Sequence, residues 1–190
     1  MVALLVIGAI LAGCSAVSIE TGATPEEEIA TSEVRAREAR SIWARNFNAA
    51  SEYGKAALLR HHIDSTAARF LYVGNQFADE WEKGNQGRGQ SIPAEEMREV
   101  IDNTLAKDRP MIIAWEENME YGWEWVRDSS RFDNHTLELF SRMVDHYYDC
   151  YSVAFFPRED VSIYREELYQ AEVRLQNLSR DLGVELEQYR

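Results

Sequence analysis

Apolar side chains recur at every seventh residue along Ile42, Ala49, Ala56, Ile63, Phe70 and Phe77, the spacing that keeps one face of an α-helix turned toward a partner. The seam passes Gly54 and Asp64-Ser65 without changing register. It predicts a long first helix over residues 25–83, roughly 88 Å at 1.5 Å per residue if unbroken, with a turn near Asn46–Asn48 as the alternative. Met97, Ile101 and Leu105 give a second, shorter stripe. Ile112, Trp115, Met119, Gly122 and Val126 then alternate in threes and fours, as do Leu137, Phe140, Val144, Tyr147, Tyr151 and Ala154. The last stripe is Val161, Tyr164, Leu168, Ala171, Leu175, Leu178 and Leu182. No segment alternates with the period of two that a strand requires.

Breaks and caps divide these stripes. Thr24-Pro25-Glu26-Glu27 reads as a helix start, with Thr24 at the N-cap, Pro25 in the first turn and Glu27 closing a capping box. Gly84 to Gln90 holds three glycines and no apolar side chain, which predicts a loop because ordering glycine in a helix is entropically expensive. Pro93 suits the next helix start, Asp108-Arg109-Pro110 interrupts, Asp128–Asn134 is a polar turn, Pro157 stops the aromatic helix, and Gly183 marks a late bend or frayed end. The fold class that follows is all-α: an antiparallel four- to five-helix bundle with a long first helix and coiled-coil-like packing, forming one domain over residues 24–190. Val161–Leu182 is the stripe best suited to pair between chains.

Ahead of this domain, Val2 to Ala12 is a continuous apolar run, well short of the roughly 20 residues that span a bilayer. It has the size of a signal-peptide hydrophobic region, although no Lys or Arg precedes it. Leu11-Ala12-Gly13-Cys14 closes the run and resembles the lipobox of bacterial lipoproteins. The resemblance implies that residues 1–13 are a signal peptide, that Cys14 is lipidated and becomes the mature N-terminus, and that residues 14–23 are a lipidated tether. Ser15, where the family uses Asp for inner-membrane retention, implies an outer-membrane protein facing the periplasm in a Gram-negative cell. The membrane partner is then reached through the lipid on Cys14.

Charge narrows the partners. The formal charge is −13 with none of it in residues 1–13, so a nucleic acid or an anionic lipid surface would be repelled. With Cys14 acylated, Cys150 is the one remaining thiol and no intramolecular disulfide forms. The alternation of Arg35, Arg37, Arg40 and Arg45 with Glu33 and Glu38 reads as a solvated face.

Catalytic signatures are sparse. No Glu-x-x-His pair of a di-iron bundle occurs, and the Gly84–Gly89 stretch lacks the Gly-Lys-Ser/Thr ending of a phosphate loop. His146 and Cys150 are four residues apart on one helix face, a spacing shared by metal or thiolate–imidazole pairs and by plain core positions. His61 and His62 diverge by about 100° around a helix, so at most one faces any site. No metal or cofactor is expected. The other signal is aromatic density from Trp115 to Phe156 beside Glu116, Glu117, Glu120 and Glu124. Tyr121, Trp125 and Tyr148 fall off the buried stripes and form a possible interaction surface. The expected function is a lipid-anchored envelope protein with a non-catalytic scaffold or protein-interaction role and a protein partner in the envelope. The alternative is a helical ligand-binding protein or metal-dependent enzyme built on residues 115–151, with Glu116, Glu117, His135 or His146 as the working groups.

Overall fold

A computed structural model describes residues 24–89 and 91–190. The apolar run, the Leu11-Ala12-Gly13-Cys14 motif and the 14–23 tether lie outside the described residues. Within them the protein is all-α: α1 (Pro25–Ala49), α2 (Glu52–Arg88), α3 (Ala94–Leu105), α4 (Arg109–Asp128), α5 (Asn134–Phe155) and α6 (Val161–Leu186), then a 3-10 turn (Glu187–Tyr189). Neighbours run antiparallel, and no strand occurs among the described residues. None of these helices is long and apolar enough to cross a membrane.

The sixth helix arises because the long first segment is two helices. Ala50 and Ser51 take extended backbone angles, and the Ser51 hydroxyl accepts the Gly54 amide at 3.1 Å, starting α2 afresh. The break falls just beyond the Asn46–Asn48 turn that the sequence left open. Seventh-residue spacing fixes a period but not its phase. In α2 the seam is right, with Ala56, Ile63, Phe70 and Phe77 fully buried. In α1 it is one position off: Ile42 is 50% exposed while Ala36 and Phe47 are buried and Trp43 packs against the core. The longest helix is therefore the second, about 55 Å at 1.5 Å per residue.

The glycine-rich stretch is also helical rather than a loop. α2 continues to Arg88 and ends on Gly89, whose φ of 65° is the left-handed cap conformation that glycine adopts without strain. Tertiary contacts offset the entropic cost. The Asn85 side chain accepts the Ile92 amide at 2.6 Å, Trp81 Nε1 donates to the Ile92 carbonyl at 3.0 Å, and the Ile92 side chain lies over Gly84 where a Cβ would stand. Gly183 likewise sits inside α6 without a bend. There it leaves space for Arg60, which donates from Nε to the Ser179 carbonyl at 2.9 Å.

α2 is the spine. It packs against α5 and α6, which also pack on each other; α4 leans on α2 and α5, α1 lies along α4, and α3 covers one end of α5. The 3-10 turn folds back as a clasp. The Tyr189 hydroxyl accepts the Asp133 amide at 3.1 Å and meets Thr136 Oγ1 at 3.1 Å, while Arg131 donates to the Tyr189 carbonyl at 3.1 Å and pairs with Glu52 at 2.8 Å.

Two glycines of α2 give opposite expectations. A Cβ on Gly74 would stand 3.1 Å from the Ala154 backbone and 2.6 Å from Leu168, so Gly74→Ala should lower unfolding free energy by about 1–3 kcal/mol through overpacking. A Cβ on Gly87 meets nothing within 4 Å, so Gly87→Ala should be neutral or add up to about 1 kcal/mol. Urea unfolding of the two variants tests the pair; equal effects would contradict this helix contact.

Candidate functional site

α4 presents two aromatic faces. On one, Tyr121 and Trp125 meet α1: Tyr121 packs edge-on against Trp43 at 6.1 Å and Phe47 at 5.7 Å, and Trp125 meets Phe47 at 5.8 Å. Lys55 Nζ stands 4.6 Å from the Trp125 ring centroid, and Tyr121 donates its hydroxyl proton to Asn48 at 3.1 Å. Gly122 allows this closeness, since a Cβ there would stand 2.9 Å from Leu59 and 3.0 Å from Trp43. Arg40 of α1 pairs with Glu117 at the same seam. Tyr148 is elsewhere. It projects from α5 and donates to Glu120 at 3.2 Å on the other face of α4. The structure thus joins Tyr121 to Trp125 and leaves Tyr148 apart.

The second face is a cleft. Arg109, Ile112, Ile113 and Glu116 of α4 oppose Tyr147, Tyr148 and Tyr151 of α5 around a cavity of about 360 Å³. It continues past Arg109, Ile112 and Tyr151 into a second cavity of about 390 Å³ under α3, where Ile101, Leu105, Phe155 and Phe156 supply apolar surface. Arg109 pairs with Asp102, and Arg98 donates to the Pro157 carbonyl at 2.6 Å. Ile113, Tyr148 and Phe156 are exposed along its rim.

The cleft wall is stiffened from behind by Phe70, fully buried on α2, whose ring lies 5.4 Å from Tyr147, 5.4 Å from Tyr151 and 5.5 Å from Phe155. Tyr147 is 2% exposed, and its hydroxyl has no hydrogen-bond partner among the described residues. Burial, then the negative charge of Glu116, pushes the Tyr147 and Tyr148 phenols well above the ordinary tyrosine range. Both hydroxyls stay protonated. Of the four groups proposed for an enzyme, Glu116 alone lines this cleft. Glu117 turns to Arg40, His135 is exposed at the start of α5, and His146 faces α6.

His146 and Cys150 do share a helix face, 3.5 Å apart, but both are buried. His146 Nε2 lies 2.8 Å from the Ala171 carbonyl, which fixes that nitrogen as the donor. Burial and Asp149 push the Cys150 thiol up to about 12, so it remains a protonated core thiol rather than a nucleophile. Among the described residues no group of three or more His, Cys, Asp or Glu side chains is arranged to hold a metal. His61 is exposed, whereas His62 donates from Nε2 to the Trp115 carbonyl at 2.8 Å beneath Trp43.

Arg109, Ile113, Tyr147, Tyr151 and Phe156 are the cleft residues that sequence reasoning missed as a set. The signal was present: 109, 112, 113, 116 and 120 follow helical spacing as a second stripe on α4, mixing charged and apolar positions. Comparison with protein-family models, curated proteins and solved structures found no match to this chain.

Burial lowers the His62 pKa below its ordinary 6.5, so the folded state binds that proton less readily than the unfolded chain. Its contribution to stability is present above pH 6.5 and is lost as pH falls through the lowered folded value. His62→Gln keeps a donor for the Trp115 carbonyl and cannot be protonated. Between about pH 7.5 and 5.5 the melting temperature of the unsubstituted protein should fall more than that of the variant. Parallel profiles would show that His62 does not titrate on unfolding.

Proposed function

We propose that this chain is a lipid-anchored protein of the bacterial cell envelope whose helical bundle acts as a non-catalytic interaction module. The observation that carries the reading is Cys14, set after Leu11-Ala12-Gly13 at the end of an apolar run too short to span a bilayer. Acyl chains contribute about 0.8 kcal/mol per buried methylene, so a multiply acylated cysteine holds a domain at a membrane without a spanning helix. Thr24 supports the reading from the other side. Its hydroxyl accepts the Glu27 amide at 3.3 Å and the Glu27 carboxylate accepts the Thr24 amide at 2.7 Å, a complete capping box. A ten-residue chain from Cys14 to Thr24 reaches about 35 Å at most, so the anchored bundle would be held close to the bilayer.

The acidic surface fits the same reading. Anionic headgroups repel a domain of this charge, leaving acyl chains as the attachment. A non-catalytic role is supported by the His146–Cys150 pair, whose imidazole is bonded to backbone and whose thiol is held protonated. By analogy with lipoproteins, Ser15 favours the outer membrane, facing the periplasm, where the partner would be another envelope protein.

Radiolabelled palmitate fed to cells making the full chain tests this. Label should enter the protein, and Cys14→Ser should abolish it and move the protein from the membrane to the soluble fraction. Label persisting in Cys14→Ser, or an unlabelled chain retaining Met1 in the cytosol, would overturn the proposal.

A further inference from the structure

We infer that the aromatic face of α4 also receives α1 from a second copy of this chain, the bend at Ala50–Ser51 straightening so that α1 and α2 run on as one helix and two copies exchange their first helices. This inference rests on the bundle alone and not on the Cys14 anchor, so the two fail separately.

Three observations converge on the bend. The first is the apolar seam, which keeps its seven-residue spacing from Ile42 and Ala49 into Ala56 and Ile63 although the chain turns between them. In the bent chain Ile42 and Ala49 are left at the surface, whereas in a straight helix they fall in line with the buried positions of α2. The second is Gly54. A Cβ there would stand 3.1 Å from Ser51 Oγ and 3.2 Å from the Ala50 Cβ, whereas Cβ atoms three or four residues apart on an unbroken helix are about 5–6 Å apart. Glycine at this position accommodates the bend, and straightening removes the crowding. The third is how lightly the bend is held. Ala50 and Ser51 are extended, the Ser51 hydroxyl accepts the Gly54 amide at 3.1 Å, and the Ala50 amide donates to the Phe47 carbonyl at 3.2 Å.

The docking surface recognises a helix and not its connection. α1 is seated by the rings of Trp43 and Phe47 against Tyr121 and Trp125, by Arg40 on Glu117, by Glu28 on Lys107 at 3.5 Å and by Asn48 on the Tyr121 hydroxyl at 3.1 Å. Each of these contacts, and the Trp43–His62 ring contact with α2 at 5.5 Å, reforms when the same helix arrives from another copy. Exchange leaves that burial unchanged, so the hinge decides. A straight chain regains helical hydrogen bonds at residues 50 and 51 and aligns the seam, against the entropy of joining two molecules. The small side chains of Ala49, Ala50 and Ser51 leave room for two straightened helices to cross. The α6 stripe is not the surface that pairs, because Tyr164, Leu168, Leu175 and Leu182 are buried within the chain, where α6 packs on α2 and α5. Like charge opposes association, since each copy carries −13, and the dimer gains with salt.

Crosslinking tests the inference in the full chain carrying Cys14→Ser, where Cys150, buried and protonated, is the one remaining thiol. Chains with Arg40→Cys and chains with Glu117→Cys are made together in one cell and treated with a short bis-maleimide. A product of two chains joined from position 40 to position 117 is expected, in clear excess over the collision control of Arg40→Cys with Tyr169→Cys on the exposed side of α6. Ser51→Pro in both chains should abolish that excess. Proline fits the bent chain, where Ser51 has φ −62° and Ala50 has ψ 154°, but in a continuous helix its ring collides with the Phe47 carbonyl. Gly54→Ala, which crowds only the bend, should raise the yield about threefold to tenfold. The inference is overturned if the link between chains is no more abundant than the control, or if Ser51→Pro or Gly54→Ala leaves it unchanged. Arg40→Cys and Glu117→Cys placed together in one Ser51→Pro chain should still link within that chain, which shows α1 docked. If α1 no longer docks there, the Gly54→Ala result decides.

Discussion

Where α2 crosses α5 there is room for a hydrogen atom on the Gly74 α-carbon and for nothing larger, and the rest of the molecule is arranged around that contact. The Ala154 backbone occupies the space a side chain would need. This closeness brings Phe70, one turn earlier on α2, into the middle of four rings: Trp115 of α4 at 6.2 Å and Tyr147, Tyr151 and Phe155 of α5. Aromatic contacts of this kind are worth about 0.5–1.5 kcal/mol each beyond their buried area. The back of the cleft is therefore fixed by the same packing that holds the spine together. Its front is open because α3 covers only one end of α5.

Charge plays a smaller part in stability than the acidic composition suggests. Arg165 of α6 bridges Asp79 and Glu82 of α2 at 2.6 and 2.8 Å, Arg131 reaches Glu52, and Arg40 reaches Glu117. All are solvent-exposed pairs, each worth about 0–1 kcal/mol. They help select the register in which α6 meets α2 and α1 meets α4, while burial supplies the driving force. With 33 acidic residues against 20 basic ones, many carboxylates have no cation to meet. Most lose nothing by facing water, but Glu116 stands against an aromatic wall.

The later helices were legible in the sequence because local and tertiary preferences agree there. Asp133 and Asp160 accept the Thr136 and Ser162 amides at 2.8 Å each, and the stripes of α4, α5 and α6 face the core with the phase their spacing gave. Disagreement arose where a long-range contact outweighed a local preference. Gly84 to Arg88 reads as a loop until Ile92 folds back over it, and Ile42 and Ala49 match the seam in spacing but not in the face that α4 covers. The cleft was half legible. Tyr147 and Tyr151 stood out as stripe positions and Glu116 as an acidic neighbour, but their meeting depends on how α4 and α5 lean together, which no single-helix pattern encodes. Tyr121 and Trp125 look surplus on α4 alone because the α1 rings that receive them lie far away in sequence.

The Tyr189 clasp has a consequence for the order of assembly. A ribosome releases residues in sequence, so the corner between α4 and α5 emerges long before the ring that plugs it, which packs on Phe132 at 5.1 Å. During translation that corner, with the start of α2 beside it, waits unsealed until Tyr189 has left the ribosome. Bulk placed directly beside Tyr189 would crowd this closing step, whereas bulk placed elsewhere leaves it undisturbed.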